Sequence, residues 1–257
     1  MDEWRRRASL ENLSGNSLMS TKKNKKAVKG AVVGVCVPAR DEVHTGFAFD
    51  FARMVGHDVK HRCNDENNGL KLYTMAGTLI FDQREGLVKA ALSEGCTHVL
   101  FIDSDMRFPP DIISILLSRE LPIVGVNAVT RRKPVLSTAL NLELTKDDEN
   151  GEIKKTRWLK VDSRGKQGCE QVTAIGFGAT LIAKEVFEKL KTPWFSAEWS
   201  PRGIIGEDIY FCLKALDEGI PTFVDHDLSK YIGHIGTHEY RWEDVGETAI
   251  EDHNNGK

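Results

Sequence analysis

Two aspartates one residue apart, Asp103 and Asp105, follow the apolar run His98-Val99-Leu100-Phe101-Ile102. Where an extended chain ends and turns outward, carboxylates two positions apart can face one hard cation through their oxygens. A cation held there can bridge phosphate oxygens. Alone, the tripeptide is too common to carry this meaning, because a strand-end aspartate also caps helices and turns. Two further chemical groups arrive downstream. Glu207 and Asp208 follow Gly206 where a helical pattern begins, at the positively polarised end that favours carboxylates. Simple helix-end charge would use the same residues. His234 sits between glycines in Tyr231-Ile232-Gly233-His234-Ile235-Gly236, where a neutral imidazole could complete a metal shell or contact a diphosphate. His226 and His238 are weaker candidates for that place.

Arg84 falls on the helical segment before the aspartates, and Arg131-Arg132-Lys133 follows a later strand. Either could face phosphate oxygens, although a solvated loop is the better reading of the triplet. Gly176-Phe177-Gly178 offers backbone access for a sugar or acceptor, or equally a sheet bulge. Trp194, Phe195 and Trp199 precede Gly206, where aromatic faces could stack on a sugar ring or base, with core packing expected of at least one tryptophan.

The elements that must position these groups alternate. Ala31–Val37 is a continuous apolar run ending at Pro38 and reads as a strand buried on both faces. Phe47–Met54 and Leu70–Ala91 have helical spacing, the second closed by Gly95. The strand His98–Ile102 follows, then a helix over Ile112–Arg119 and a strand over Pro122–Val126. Residues 131–171 are more polar and read as a hairpin excursion, with strand-like Val135–Leu144 and a charged turn at Asp147–Gly151. Thr173–Ile182 is expected as strand, Glu185–Leu190 and Glu207–Gly219 as helices, and Pro221–Val224 as a last strand. This is an α/β sheet whose ligands belong beyond the carboxyl ends of the strands, where the aspartates lie.

With 257 residues, 40% of them hydrophobic, the chain can bury one large catalytic domain, expected over residues 30–240. Residues 1–29 read as a disordered polar and basic leader, and residues 241–257 as a polar tail. The formal net charge of -3 gives no global attraction to nucleic acid or anionic membrane. Five scattered cysteines suggest neither a disulfide framework nor a structural zinc site, which fits a reducing cytoplasm. No run reaches the roughly 20 apolar residues of a membrane helix.

Taken in order, Val37-Pro38-Ala39-Arg40, Phe101-Ile102-Asp103-Ser104-Asp105-Met106, Ile175-Gly176-Phe177-Gly178, Gly206-Glu207-Asp208 and His234-Ile235-Gly236 resemble the GT-A glycosyltransferases. The likeness is greatest to the inverting family 2 with its many bacterial and phage members, and spans about Ala31 to Gly236. It implies a Rossmann-like mixed central sheet flanked by helices, and transfer of a sugar from a UDP- or GDP-sugar. By that resemblance Pro38, Ala39, Arg40 and Asp41 embrace the nucleotide, with Arg84 and Ser104 also on the donor side. Asp103 contacts sugar or ribose and is a further metal candidate, while Asp105, helped by His234, holds Mn2+ or Mg2+ with the diphosphate. Asp208, with Glu207 second, takes the proton of the acceptor hydroxyl; Gly176, Phe177, Gly178 and Trp199 belong to the acceptor side. The implied acceptors are a glycan, a protein or a hydroxymethylated DNA base, the last ranking lower because duplex binding needs several phosphate contacts. A nucleotidyltransferase shares this fold class, yet the first loop lacks its glycine run. A non-catalytic carbohydrate- or nucleic-acid-binding module is the other alternative.

Overall fold

The computed structural model describes residues 30–146, 153–200, 203–236 and 239–245. The leader, the turn at Asp147–Gly151, His238 and most of the tail therefore lie outside the described residues. The core is a seven-stranded mixed sheet with helices on both faces, ordered β2-β1-β3-β9-β5-β12-β8. Its strands are β1 (Val32–Ala39), β2 (Gly69–Ala76), β3 (His98–Ile102), β5 (Ile123–Val126), β8 (Cys169–Val172), β9 (Ala179–Ala183) and β12 (Thr222–Asp225). β1 runs parallel to β2 and β3, and β5 parallel to β12; β9, between β3 and β5, and β8, at the far edge, run antiparallel to their neighbours.

Strand periodicity divides the core in two, because successive side chains point to opposite faces. Cys36, Val99, Phe101 and Ile182 face one layer with Leu87, Val88 and Ala91 of α2 (Ile80–Ser93) and Phe211, Cys212 and Ala215 of α5 (Glu207–Asp217). Val35, Leu100, Ile102 and Leu181 face the other, with Phe47 and Met54 of α1 (Thr45–His61) and the apolar α3 (Ile112–Leu117). Continuous apolar runs are required where both faces are covered, which is why β1, β3 and β5 are plain in the sequence. The short helices α4 (Lys184–Lys189) and α6 (His226–Ser229) complete the elements packed on the sheet.

Two expectations are corrected. Leu70–Met75 is the parallel edge strand β2, not the start of a helix, and α2 begins only at Ile80. Leu72 and Met75 fit helical spacing with Leu79 and Ile80; exposure does alternate from Lys71 to Ala76, but the exposed positions include the apolar Leu72 and Ala76, so the sequence does not alternate apolar with polar. Thr173–Ile182 is not one strand: β8 ends at Val172, residues 173–178 cross over, and β9 starts at Ala179. The crossover is packed closely at its glycines. A Cβ on Gly176 would lie 2.9 Å from Thr138 Cβ, and the Gly178 carbonyl accepts the Asp103 amide at 3.0 Å.

The hairpin is present as β6 (Leu140–Lys146) antiparallel to β7 (Ile153–Lys160). A small sheet, unexpected from sequence, joins β4 (Met106–Arg107), β13 (Gly233–Ile235) and β14 (Glu239–Tyr240), with β13 in the middle. A two-stranded lip, β10 (Glu198–Ser200) and β11 (Gly203–Ile205), leads into α5. Among the described residues no helix is long and apolar enough to cross a membrane.

The tightest approach in the sheet is at Gly125 of β5, where a Cβ would lie 2.4 Å from Thr180 Oγ1, 2.7 Å from Ile175 Cδ1 and 2.9 Å from the Ala179 carbonyl. Gly125→Ala is expected to lower stability by about 1–3 kcal/mol through overpacking. Chemical denaturation checks this, and an unchanged midpoint would contradict such close packing.

Candidate active site

The site gathers at the carboxyl ends of β1 and β3 and the start of α5. Asp103 is the first residue after β3, and Arg84 on α2 reaches it. Arg84 Nη2 donates to Asp103 Oδ1 at 2.9 Å, and Arg84 Nε donates to Glu207 Oε1 at 3.1 Å. The guanidinium packs over the rings of Phe101, 4.9 Å to the centroid, and Phe177, 5.5 Å, and its side chain is only 3% exposed. One buried cation thus fixes two carboxylates that lie 104 positions apart in sequence. Arg84 Nη1 is buried without a hydrogen-bond partner among the described residues. Burial, then the neighbouring Asp105, raises the Asp103 carboxyl above its ordinary range, with Arg84 opposing.

Asp208, beside Glu207 in the first turn of α5, accepts the Ile209 amide through Oδ1 at 2.7 Å. A Cβ on Gly206 would stand 2.9 Å from that same oxygen, so glycine leaves room for the carboxylate to fold over the helix end. Burial, reinforced by the charge of Glu207, pushes the Asp208 carboxyl up to about 6, against the Ile209 amide and Arg84. A carboxylate so tuned can accept a proton near neutral pH.

Asp105 faces His234. β4 pairs with β13 so that Met106 stands opposite His234, and the Ile235 amide donates to the Asp105 carbonyl at 2.7 Å. His234 Nδ1 lies 2.6 Å from the Val129 carbonyl, which can only accept, so Nδ1 carries the proton. In the neutral ring, Nε2 then directs its lone pair at Asp105 Oδ1, 3.3 Å away. That oxygen is buried with no aligned hydrogen bond, and with the ring neutral the pair is a close contact between two electron donors. Such a pair suits a divalent cation, since two cis ligands at about 2.1 Å from an ion stand about 3.0 Å apart. Burial would raise the Asp105 carboxyl, but His234, when its ring is protonated and Nε2 donates, together with Arg131 outweighs it and holds it low. Among the described residues no three His, Cys, Asp or Glu side chains converge on one point, so an ion here would need ligands from a bound phosphate or water.

The other candidates are separated by the fold. Pro38 is buried, while Arg40 and Asp41 are exposed at the end of β1, the strand beside β3. The Ala39 carbonyl accepts Gln83 Nε2 at 2.6 Å, which ties this loop to α2 next to Arg84. Ser104 lies between the two aspartates. Phe177 is core, stacked on Phe101 at 5.8 Å; this segment meets the site through the Phe177 ring under Arg84 and the Gly178 carbonyl on the Asp103 amide. Trp194 and Phe195 are also core; Trp194 packs on Phe187, and both backbone amides donate to Glu85. Trp199 is 82% exposed, opposite Ile204, itself 61% exposed, on the lip before Gly206. His226 is removed from the metal question: it is 1% exposed and held by Ser163 Oγ and Glu170 Oε2, both at 2.8 Å.

Sequence reasoning missed two residues. Arg131, read as a solvated loop, places Nη1 2.6 Å from Asp105 Oδ2. Asn127 is wholly buried; its Nδ2 donates to the Val161 carbonyl and Ser163 Oγ, and its Oδ1 accepts the Ala139 amide. It fixes the loop whose Val129 carbonyl orients His234. A lone asparagine at a strand end carries no sequence signal of this. The basic triplet did signal Arg131, but not which charge it would meet.

No protein-family profile matches this chain, and no curated protein matches it. Among solved structures, A197 from STIV aligns with a TM-score of 0.46 at 18% identity, over 79% of this chain and 85% of that one. TarS residues 1–349 from S. aureus, solved in complex with UDP-GlcNAc, align with a TM-score of 0.40 at 14% identity, over 75% of this chain and 55% of that one. The functional reading therefore rests on this chain's own residues.

Arg84→Met would leave Asp103 and Glu207 without their shared cation. Stability at neutral pH is expected to fall by about 3–5 kcal/mol. The deficit should narrow on acidification as the carboxylates become protonated. Denaturant titrations at neutral and acidic pH check this, and a pH-independent deficit would contradict the charge account.

Proposed function

We propose that the protein is a GT-A-type inverting glycosyltransferase that moves a sugar from a UDP- or GDP-sugar to an acceptor hydroxyl, using Mn2+ or Mg2+. The observation that carries this reading is the pairing of two separate devices at one sheet end. One is the Asp105–His234 pair, whose facing lone pairs suit a cation. The other is Asp208, a carboxylate with a raised proton affinity at a helix start. The motif order in the sequence supports the same reading.

When bound, the metal would neutralise charge on the departing nucleoside diphosphate. Asp105 and His234 are the side chains to hold it, and Arg131 is placed to meet phosphate oxygens once it leaves Asp105. Pro38–Asp41 would border the nucleotide and Asp103, steadied by Arg84, the sugar or ribose. Asp208 takes the proton of the acceptor hydroxyl as its oxygen attacks the anomeric carbon. The bond from that carbon to the diphosphate oxygen breaks on the opposite face, giving inversion. Glu207 keeps the Asp208 carboxyl basic by its charge and anchors Arg84. Trp199 and Ile204 offer an exposed apolar pair on the lip that leads into α5, which suits a sugar ring and favours a glycan acceptor over a protein or a hydroxymethylated DNA base.

Incubation of the purified chain with Mn2+ and a panel of UDP- and GDP-sugars should release free sugar and nucleoside diphosphate by slow transfer to water. EDTA, Asp105→Ala and Asp208→Asn should each reduce the rate at least 100-fold with the fold intact. Pyrophosphate release from nucleoside triphosphates would instead indicate a nucleotidyltransferase, and no turnover with any donor a binding module.

The pH profile gives a second check. Because Asp208 works deprotonated, the rate should rise with pH through about 6 and then level. Glu207→Gln removes the negative charge that raises Asp208, so the midpoint should move to lower pH. A midpoint that stays put or rises would contradict the coupling.

A further inference from the structure

Arg107 touches none of the reacting groups, yet the placement of His234 converges on it. β4 is two residues long and β13 three, so their ladder supplies few hydrogen bonds to fix the register that brings His234 to Asp105. Side chains supply the rest. Arg107 pairs through its backbone with Gly233, the residue before His234. Its Nε donates to Asp50 Oδ2 on α1 at 2.5 Å, and its Nη1 donates to Glu239 Oε2 on β14 at 3.5 Å.

Glu239 stands in register with Ile235 on the far side of β13, so the Arg107–Glu239 contact spans that strand from one neighbour to the other. It passes over Gly233, where a Cβ would lie 2.5 Å from Glu239 Oε1 and 3.1 Å from Arg107 Cβ. Arg241 holds Glu239 from behind, and the buried Asp50 anchors the assembly to α1. A Cβ on Gly46 would likewise lie 3.0 Å from Arg107 Cδ, so the first turn of α1 closes down on the same side chain.

We infer that the Asp50–Arg107–Glu239 strap is the positioning device for His234, setting the distance between its Nε2 and Asp105. This rests on the reading of Asp105 and His234 as a metal site. The Arg107–Glu239 limb is partly exposed and contributes little to stability, and the buried Asp50 keeps Arg53 as a partner at 3.3 Å when Arg107 is replaced, so the strap's effect belongs in geometry, to which a metal site is sensitive.

The test is Mn2+ affinity, read by electron paramagnetic resonance of unbound Mn2+ with the full chain and no other ligand. Arg107→Met is expected to weaken binding about tenfold while the melting temperature stays within a few degrees, with partial recovery in Arg107→Lys. Glu239→Gln, which leaves the Asp50 pair in place, should weaken binding in the same direction and decides the matter if Arg107→Met fails to fold. Asp105→Ala sets the reference by abolishing specific binding. If Asp105→Ala abolishes binding while folded strap variants bind Mn2+ like the wild type, the strap is overturned and the metal site stands. If Asp105→Ala leaves Mn2+ affinity unchanged, the metal reading fails and the strap with it.

Discussion

A guanidinium buried between two carboxylates organises this protein. Arg84 is nearly inaccessible and lies on aromatic rings of the core, where an unpaired charge would be costly. Asp103 and Glu207 must therefore both reach it. That requirement brings the end of β3 to the beginning of α5, and the neighbours of those two anchors are the groups with chemistry: Asp105 on one side, Asp208 on the other. Its flanking residues extend the effect. Gln83 ties the ends of β1 and β2, and Glu85 ties the Trp194 loop, so three consecutive polar positions on α2 hold the rim of the sheet.

The second constraint is the orientation of one imidazole. Asn127 fixes the loop after β5, the Val129 carbonyl accepts a hydrogen bond from Nδ1, and β13 pairs with β4, which follows Asp105 directly. Each step is a backbone or buried polar contact, so Nε2 is aimed rather than free to turn. Arg131 then balances the other oxygen of Asp105. On the proposed function, a carboxylate with an arginine on one oxygen and an imidazole nitrogen near the other would exchange charge partners when a diphosphate binds.

Much of this was legible in the sequence, for physical reasons. Strands covered on both faces must be apolar throughout, so β1, β3 and β5 announced themselves, and the aspartates at the end of β3 could be placed at the ligand-binding edge. The edge strand β2 was hidden because apolar Leu72 and Ala76 stand at its exposed positions, and the antiparallel insertion of β9 because no local pattern reports strand direction. The glycines around Phe177 read equally as access for a ligand or as a sheet bulge; in the fold Gly176 packs closely against Thr138 and Phe177 fills the core. Pairings across long separations, such as Arg84 with Glu207 or His234 with Asp105, depend on tertiary closure, and residue types alone could nominate the partners without joining them.

The central claim is that Asp105 and His234 share a divalent cation that meets the donor diphosphate. Crystals of the full chain grown with UDP and MnCl2, with diffraction recorded at the manganese absorption edge, test it directly. An anomalous peak about 2.1 Å from both Asp105 Oδ1 and His234 Nε2, with diphosphate oxygens completing the shell, is the predicted result. UDP bound at the ends of β1 and β3 with no peak between these two residues would contradict it.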